Sequence, residues 1–252
     1  MPLKGLAGVF NLALFKRIVA AAAFSGALSG LLLTLVQQVQ VIPLIHQAEV
    51  YEDAANEAAE SVEHAHLHAL ATQDAEHERE HHYDADAWQP ANGIERTLFT
   101  TGANIVIGLG FALLLSAVFA ITGVKVDGRI GLLWGLAGYV IFFVAPSLSL
   151  PPEVPGTESA RLVDRQVWWL ITALCTTIGL SLLVFAKPWW FKLPGALLLS
   201  VPHFIGAPQP EVYGSAAPAE LVHAFIYAGF LANAVFWLSL GALLGFFYKK
   251  LA

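Results

Sequence analysis

The stretch IVAAAAFSGALSGLLLTLVQQVQVIPLI, residues 18–45, decides the class of this chain. It contains no charged residue, and only Gln37, Gln38 and Gln40 interrupt its second half. A helix needs roughly 20 apolar residues to cross the ~30 Å hydrocarbon core of a bilayer. At ~1.5 Å per residue this run is longer than that core. It must tilt, or its glutamine-bearing end must leave the lipid, and Pro43 is a natural bend. Lys16 and Arg17 precede it as they would a signal peptide. The apolar run far exceeds the ~7–15 residues of a signal h-region, so a retained anchor is the better reading. Residues 3–15 are too short to span and suit a helix lying at the interface.

The rest of the chain follows the same pattern. Further apolar runs cover 97–122, 130–150, 167–186 and 221–248, the last within a helix beginning near 219. A weaker run, 193–207, is interrupted by Pro202 and carries His203. Of 252 residues, 57% are hydrophobic and 13% charged, about half the charged fraction of a soluble domain. The fold expected is an all-α integral membrane protein, a bundle of about six transmembrane helices. Five are clear and one is short and broken. Residues 1–45 form the interfacial segment and first span, 46–96 an acidic His-rich insert, and 97–252 the remaining bundle. Small residues recur every fourth position at Ala22, Gly26 and Gly30, at Gly131 and Gly135, and at Gly241 and Gly245, the spacing that lets helices approach closely in lipid.

Charge gives the orientation. Between His46 and Glu95 lie 13 of the 19 acids and one basic residue, Arg79. Lys and Arg concentrate on the cytoplasmic side of membrane proteins. Six spans with both ends inside put Lys4, Lys16, Arg17, Lys125, Arg129, Lys187, Lys192, Lys249 and Lys250 inside. Arg79, Arg96, Arg161 and Arg165 then fall outside, together with residues 46–95. Five spans would leave Lys249 and Lys250 outside. The setting is a prokaryotic cytoplasmic (inner) membrane. The absence of a basic face excludes nucleic acid as a partner, and the lone Cys175 excludes a disulfide framework within the chain.

The insert carries the chemistry. Seven of the nine histidines fall in it: His46, His64, His66, His68, His77, His81 and His82. Residues 51–67 are rich in Ala and Glu and should be helical in part. There Glu60, His64 and His68 are successive i,i+4 neighbours, as are His77 and His81 beyond, with Glu76 and Glu80 beside them. Imidazole with carboxylate suits divalent Co, Ni or Zn, and the lack of thiolate argues against Cu(I). His77 to His81 also satisfies H-E-x-x-H, but fifty residues with few large apolar side chains cannot bury a protease core. No nucleophile–base pair or cofactor motif stands out within the spans, so the chain does not read as an enzyme. No G-x-x-x-x-G-K-[ST] occurs, which excludes ATP hydrolysis through a P-loop.

A cation crossing lipid needs oxygen and nitrogen atoms facing the bundle interior. The candidates for such a path are Gln37, Gln38, Gln40, Glu95, Asn104 and Asn233. His46, Glu49, His203, Glu220 and His223 are candidate metal ligands near the outer face, beside the insert's His64, His66, His68, His77, His81 and His82.

Several segments together resemble the CbtA family of cobalt transporter subunits. They are residues 33–43 (LTLVQQVQVIP), 49–52 (EVYE), 95–100 (ERTLFT) and 131–138 (GLLWGLAG). Further matches are Ala145-Pro146, residues 150–153 (LPPE), Pro155-Gly156, 165–169 (RQVWW) and 202–208 (PHFIGAP). The resemblance implies five membrane spans, cobalt uptake linked to cobalamin synthesis, and a small single-span partner, CbtB, that carries histidines. It brings no set of site residues. The function expected is membrane transport of a divalent transition metal, Co²⁺ first with Ni²⁺ or Zn²⁺ as alternatives, and no fixed cofactor. The insert would collect the ion outside. Rival readings are a metal-binding or metal-sensing membrane protein without transport and an efflux subunit. A homo-oligomer is left open.

Overall fold

Lipid offers no partner for a backbone N–H or C=O, so an apolar segment that crosses it must satisfy its own polar groups as a helix. The computed structural model, which describes residues 12–70, 88 and 90–251, is helical in every expected span. Among the described residues there is no strand, only an isolated bridge between Thr157 and Ser215. Residues 18–45 lie inside one continuous rod made of α1 (Leu12–Val36), a π turn (Gln37–Val41) and α2 (Ile42–Leu70). The boundary expected at residue 45 therefore falls within a helix. The interfacial segment before residue 12 lies outside the described residues.

Pro43 does not end this rod. The Ile42 N–H donates to the Gln37 carbonyl, five residues back instead of four, and the extra residue in the turn accommodates the proline ring. The same device recurs at Pro146. There α4 (Gly128–Tyr139) passes through a second π turn (Val140–Val144) into α5 (Ala145–Ser147), with the Ala145 N–H on the Val140 carbonyl. In each case the following proline has no N–H. The carbonyls of Gln38 and Ile141 are thus left without a helical donor.

Among the described residues five helical units are long and apolar enough to cross a membrane: the first rod, α3 (Ile94–Thr122), residues 128–147, α6 (Leu162–Phe185) and α8 (Ala219–Leu251). The sixth leg expected from charge is α7 (Lys192–Ile205), whose 14 residues span roughly 21 Å, short of the ~30 Å core. It is short but not broken, because Pro202 sits in its last turn and the helix continues to Ile205. α7 still returns the chain to the end where α6 began. The loops on either side meet there: the Glu158 N–H donates to the Gly214 carbonyl at 3.0 Å, and the Ala216 N–H to the Gly156 carbonyl at 2.9 Å. The legs consequently alternate in direction, and Leu12 and Leu251 lie at the same end of the bundle.

Glycine fixes the helix crossings. A methyl group added to Gly26 would stand 2.6 Å from the Gly108 carbonyl carbon, and one on Gly30 2.6 Å from the Asn104 carbonyl oxygen. Backbone thus lies directly on backbone where α1 crosses α3. Gly131 and Gly135 meet Gly241 and Gly245 in the same way where α4 crosses α8, and Gly138 leaves room for the Trp237 ring. Trp237 is fully buried, stacked on Phe142 at 5.4 Å and tilted against Phe111 at 4.5 Å. α8 is the central element, touching α1, α3 and α4. The α6–α7 hairpin, closed by Gly179 against Gly195, lies to one side against the second π turn and α5.

Two outcomes follow from this packing. Gly26→Val and Gly131→Val should lower the thermal unfolding midpoint in detergent by several degrees or prevent folding. Gly110→Val, where nothing lies within 4 Å, should leave it unchanged. The second outcome concerns Asp127, which caps α4 by accepting from the Ile130 and Arg129 N–H groups at 3.0 Å each. The Ile130 N–H first, then that of Arg129 and the charges of Lys249 and Arg129, hold its carboxyl below the ordinary range against a partial loss of hydration. A depressed carboxylate stabilises the fold above its unfolded pKa and loses that contribution as pH falls through the folded value. The midpoint difference between wild type and Asp127→Ala, read by thermal scans from pH 7 to pH 3, should therefore shrink only below about pH 4.

Candidate functional site

The polar residues of the first rod come together where the π turn faces α3. On α3, Thr97, Thr101, Asn104 and Gly108 recur at three- and four-residue spacing and so share one face. Asn104 is buried, and its amide donates to Gln37 Oε1 at 2.6 Å and to Thr34 Oγ1 at 3.0 Å. One turn or two nearer the α2 end, Gln38 Nε2 donates to Thr97 Oγ1 at 3.0 Å. Gln38 Oε1 and the donorless Gln38 carbonyl are the oxygens left over. Gln40, by contrast, is exposed on the outer side of the rod.

Above this seam lies a charged group. Glu49 of α2 is bonded through both oxygens: Oε2 to His46 Nδ1 at 2.9 Å and Oε1 to Arg96 Nη2 at 2.7 Å. Arg96 also donates from Nη1 to Asn92 Oδ1 at 2.9 Å. With Nδ1 engaged, Nε2 of His46 is the ring nitrogen left for an ion, and His46 is 47% exposed. A carboxylate holding the far nitrogen of a histidine is a common arrangement around metal-ligating imidazole. Arg96 and Thr97 are consecutive, so the first turn of α3 touches the charged group and the seam together.

The other candidates lie apart. His203 is half-buried on α7, with Nδ1 at 2.9 Å from Ser149 Oγ and its ring edge-on to Trp168 at 6.3 Å. It lines a cavity of about 410 Å³ with Val140, Leu148, Thr176, Leu199 and Ser200, a largely apolar space beside the second π turn. Glu220 and His223 are exposed at the start of α8, and Glu95 at the start of α3. Asn233 donates within its own helix, to the Gly229 carbonyl at 3.0 Å. Among the described residues no three His, Cys, Asp or Glu side chains are grouped so as to hold a metal ion. His64, His66 and His68 fall on α2, beyond the last of its described side chains at Val62. His77, His81 and His82 lie outside the described residues.

A family model described as "Probable cobalt transporter subunit (CbtA)" matches residues 15–249, nearly the whole chain. The chain belongs to the CbtA family. No curated protein and no solved structure matches it. Membership supports metal transport by a multi-pass membrane protein, and the word subunit implies a partner protein in a transporter complex.

Within this CbtA-family chain, sequence reasoning missed Arg96, Thr97, Thr34 and Ser149 as members of polar clusters. Arg96 was visible as a lone cation at the head of a helix on the acidic side, but its partner lies 47 residues away. Thr34 and Thr97 look like ordinary helix-facing hydroxyls until the packing of the first rod on α3 brings Asn104 against Thr34 and Gln38 against Thr97.

Asn104→Leu removes both hydrogen bonds to the first rod and leaves Gln37 Oε1, half-buried, without this donor. The loss should be about 1–3 kcal/mol of stability, read as a lowered midpoint in detergent. Asn104→Leu combined with Gln37→Leu should recover part of it, since both partners are then apolar.

Proposed function

We propose that this chain carries a divalent transition metal, Co²⁺ first, inward across a prokaryotic cytoplasmic membrane. The observation that carries the reading is the polar continuity, within a CbtA-family chain, from His46 and Glu49 through Gln38 and Thr97 to Gln37 and Asn104. The insert of residues 46–95 faces outside, where its histidines and carboxylates collect the ion. His46 and Glu49 receive it, with His203, Glu220 and His223 as further ligands near the same face. Oxygen atoms of the glutamine-bearing π turn then offer it weak, exchangeable contacts. That suits transit better than storage, because an ion must be able to leave each site.

Charge supports the orientation. The bundle end that holds Leu12 and Leu251 also holds Lys16, Arg17, Lys125, Arg129, Lys187, Lys192, Lys249 and Lys250, as a cytoplasmic face does. At the opposite end each described arginine is paired with a carboxylate: Arg96 with Glu49, Arg161 with Asp164 and Arg165 with Glu153. No nucleotide is needed to drive inward movement. A divalent ion gains roughly 4.6 kcal/mol per 100 mV of inside-negative potential. That equals about a 2,000-fold concentration ratio. A small single-span CbtB-like subunit is the partner that fits a subunit of this kind.

The test is radioactive cobalt uptake into proteoliposomes with an inside-negative potential, with and without the single-span partner. Potential-dependent accumulation is expected. It should fall when residues 61–86 are deleted, while a residual flux through the bundle survives. Binding without accumulation, even with the partner present, would reduce the chain to a metal-binding membrane component.

A further inference from the structure

The group at the head of the seam contains a cation already. Glu49 faces α3 across the opening of the proposed path, and its two oxygens hold His46 on one side and Arg96 on the other. The guanidinium is fixed at a second point by Asn92, so it is a placed charge and not a wandering side chain. An ion that binds the exposed Nε2 of His46 must next reach Glu49 to move toward Gln38. That position is taken by a positive charge at 2.7 Å.

We infer that Arg96 is a tethered competitor for the metal, a gate and a selectivity element that an ion must displace from Glu49. This rests on the proposed path through His46 and Glu49. Displacement sets a threshold that depends on ion charge. A monovalent cation offers the carboxylate no more than the guanidinium does, and it gains nothing from imidazole. A divalent ion that also takes nitrogen gains from both partners, so a transition metal displaces Arg96 where Na⁺, K⁺ and Mg²⁺ do not. Arg96 and the arriving ion repel each other, so the two states are exclusive.

The displacement reaches the seam through the chain itself. Thr97, the next residue, holds Gln38 at 3.0 Å, and its hydroxyl also donates to the Gly93 carbonyl. Releasing Arg96 from Glu49 removes the stronger of the two tethers that hold the first turn of α3 against the rod. What remains is a single neutral hydrogen bond, roughly half as strong as a charge-assisted one. Metal arrival at the mouth thereby loosens the closure over the glutamine turn below it.

The experiment uses the full chain with His64, His66, His68, His77, His81 and His82 replaced by Ala, which leaves His46 as the insert's one imidazole. Binding of Co²⁺ alone is measured by isothermal titration in detergent, with and without excess Na⁺ or Mg²⁺. Arg96→Gln is expected to tighten Co²⁺ binding by about tenfold or more, since a like charge beside the site is removed. It should also let Mg²⁺ compete. Arg96→Lys keeps the charge and should retain the wild-type exclusion of Mg²⁺.

Glu49→Gln separates the two readings. If it abolishes binding while Arg96→Gln leaves affinity and competition unchanged, the competitor role is overturned and the mouth stands. If Glu49→Gln leaves binding unchanged, the mouth itself is overturned and the competitor role with it. A measurement on the histidine-replaced chain with Arg96 and Glu49 intact covers the case in which the Arg96 variants fail to fold. Hydrogen exchange of the amides of residues 94–100 should speed up on adding Co²⁺, and unchanged exchange with Co²⁺ bound would overturn the inference.

Discussion

A proline inside a membrane helix removes one N–H that lipid cannot replace, and this chain answers that constraint with a π turn before two of its prolines. At Pro43 and at Pro146 the preceding turn widens to a π turn, and one carbonyl in each loses its helical donor. The first π turn contains Gln37, Gln38 and Gln40, and the second borders the cavity that His203 lines. An extra residue in a turn rotates everything beyond it by about 100° relative to a regular helix. The π turn therefore sets which residues of α2 look toward α3. The meeting of Glu49 with Arg96 depends on it as much as on the length of the rod.

Around that rod the helix crossings are set by close approach of small residues, and Trp237 with its aromatic neighbours fills the space beside them. Gly26, Gly30 and Gly108 bring α1 onto α3, and Gly131 and Gly135 bring α4 onto Gly241 and Gly245 of α8. Lipid tails are as apolar as leucine, so helices there gain little from burying aliphatic side chains against one another. Backbone contact and interhelical hydrogen bonds take over. The Asn104 bridge to Gln37 and Thr34 comes from the same residue whose backbone meets Gly30, so the close approach and the hydrogen bonds occupy one place on the crossing. The same bonds that fix the α1–α3 pair supply the polar line along it, so stability and the proposed path use one set of residues.

Electrostatics divides the two ends of the molecule. Lysines dominate one end, whereas the arginines at the other are matched with carboxylates. Pairing offsets part of the acid at that end, and the densest negative charge lies in residues 46–95. On the path proposed above, a cation meets the insert first and the Glu49 group second, where Arg96 competes with it.

The class, the long helices and the concentration of acid and histidine in residues 46–95 were all readable one residue at a time. They depend on apolar length, on rise per residue and on charge, which are properties of a line of sequence. The resemblance to the CbtA family was readable for the same reason, through short segments in a fixed order. The site was not. Gln37 and Gln40 are alike on paper, yet one accepts from buried Asn104 and the other is exposed. Asn104 and Asn233 are equally plausible path residues, yet Asn233 bonds its own helix. His203 and His223 are both at the end of the bundle opposite Leu12 and Leu251, yet Ser149 and Trp168 engage the first and the second stands in the open. Pro202 looked like a break, yet α7 continues through it to Ile205. In each case the outcome turned on helix rotation and on which helices are neighbours. Those follow from the π turns and the glycine crossings acting together, which no single segment encodes.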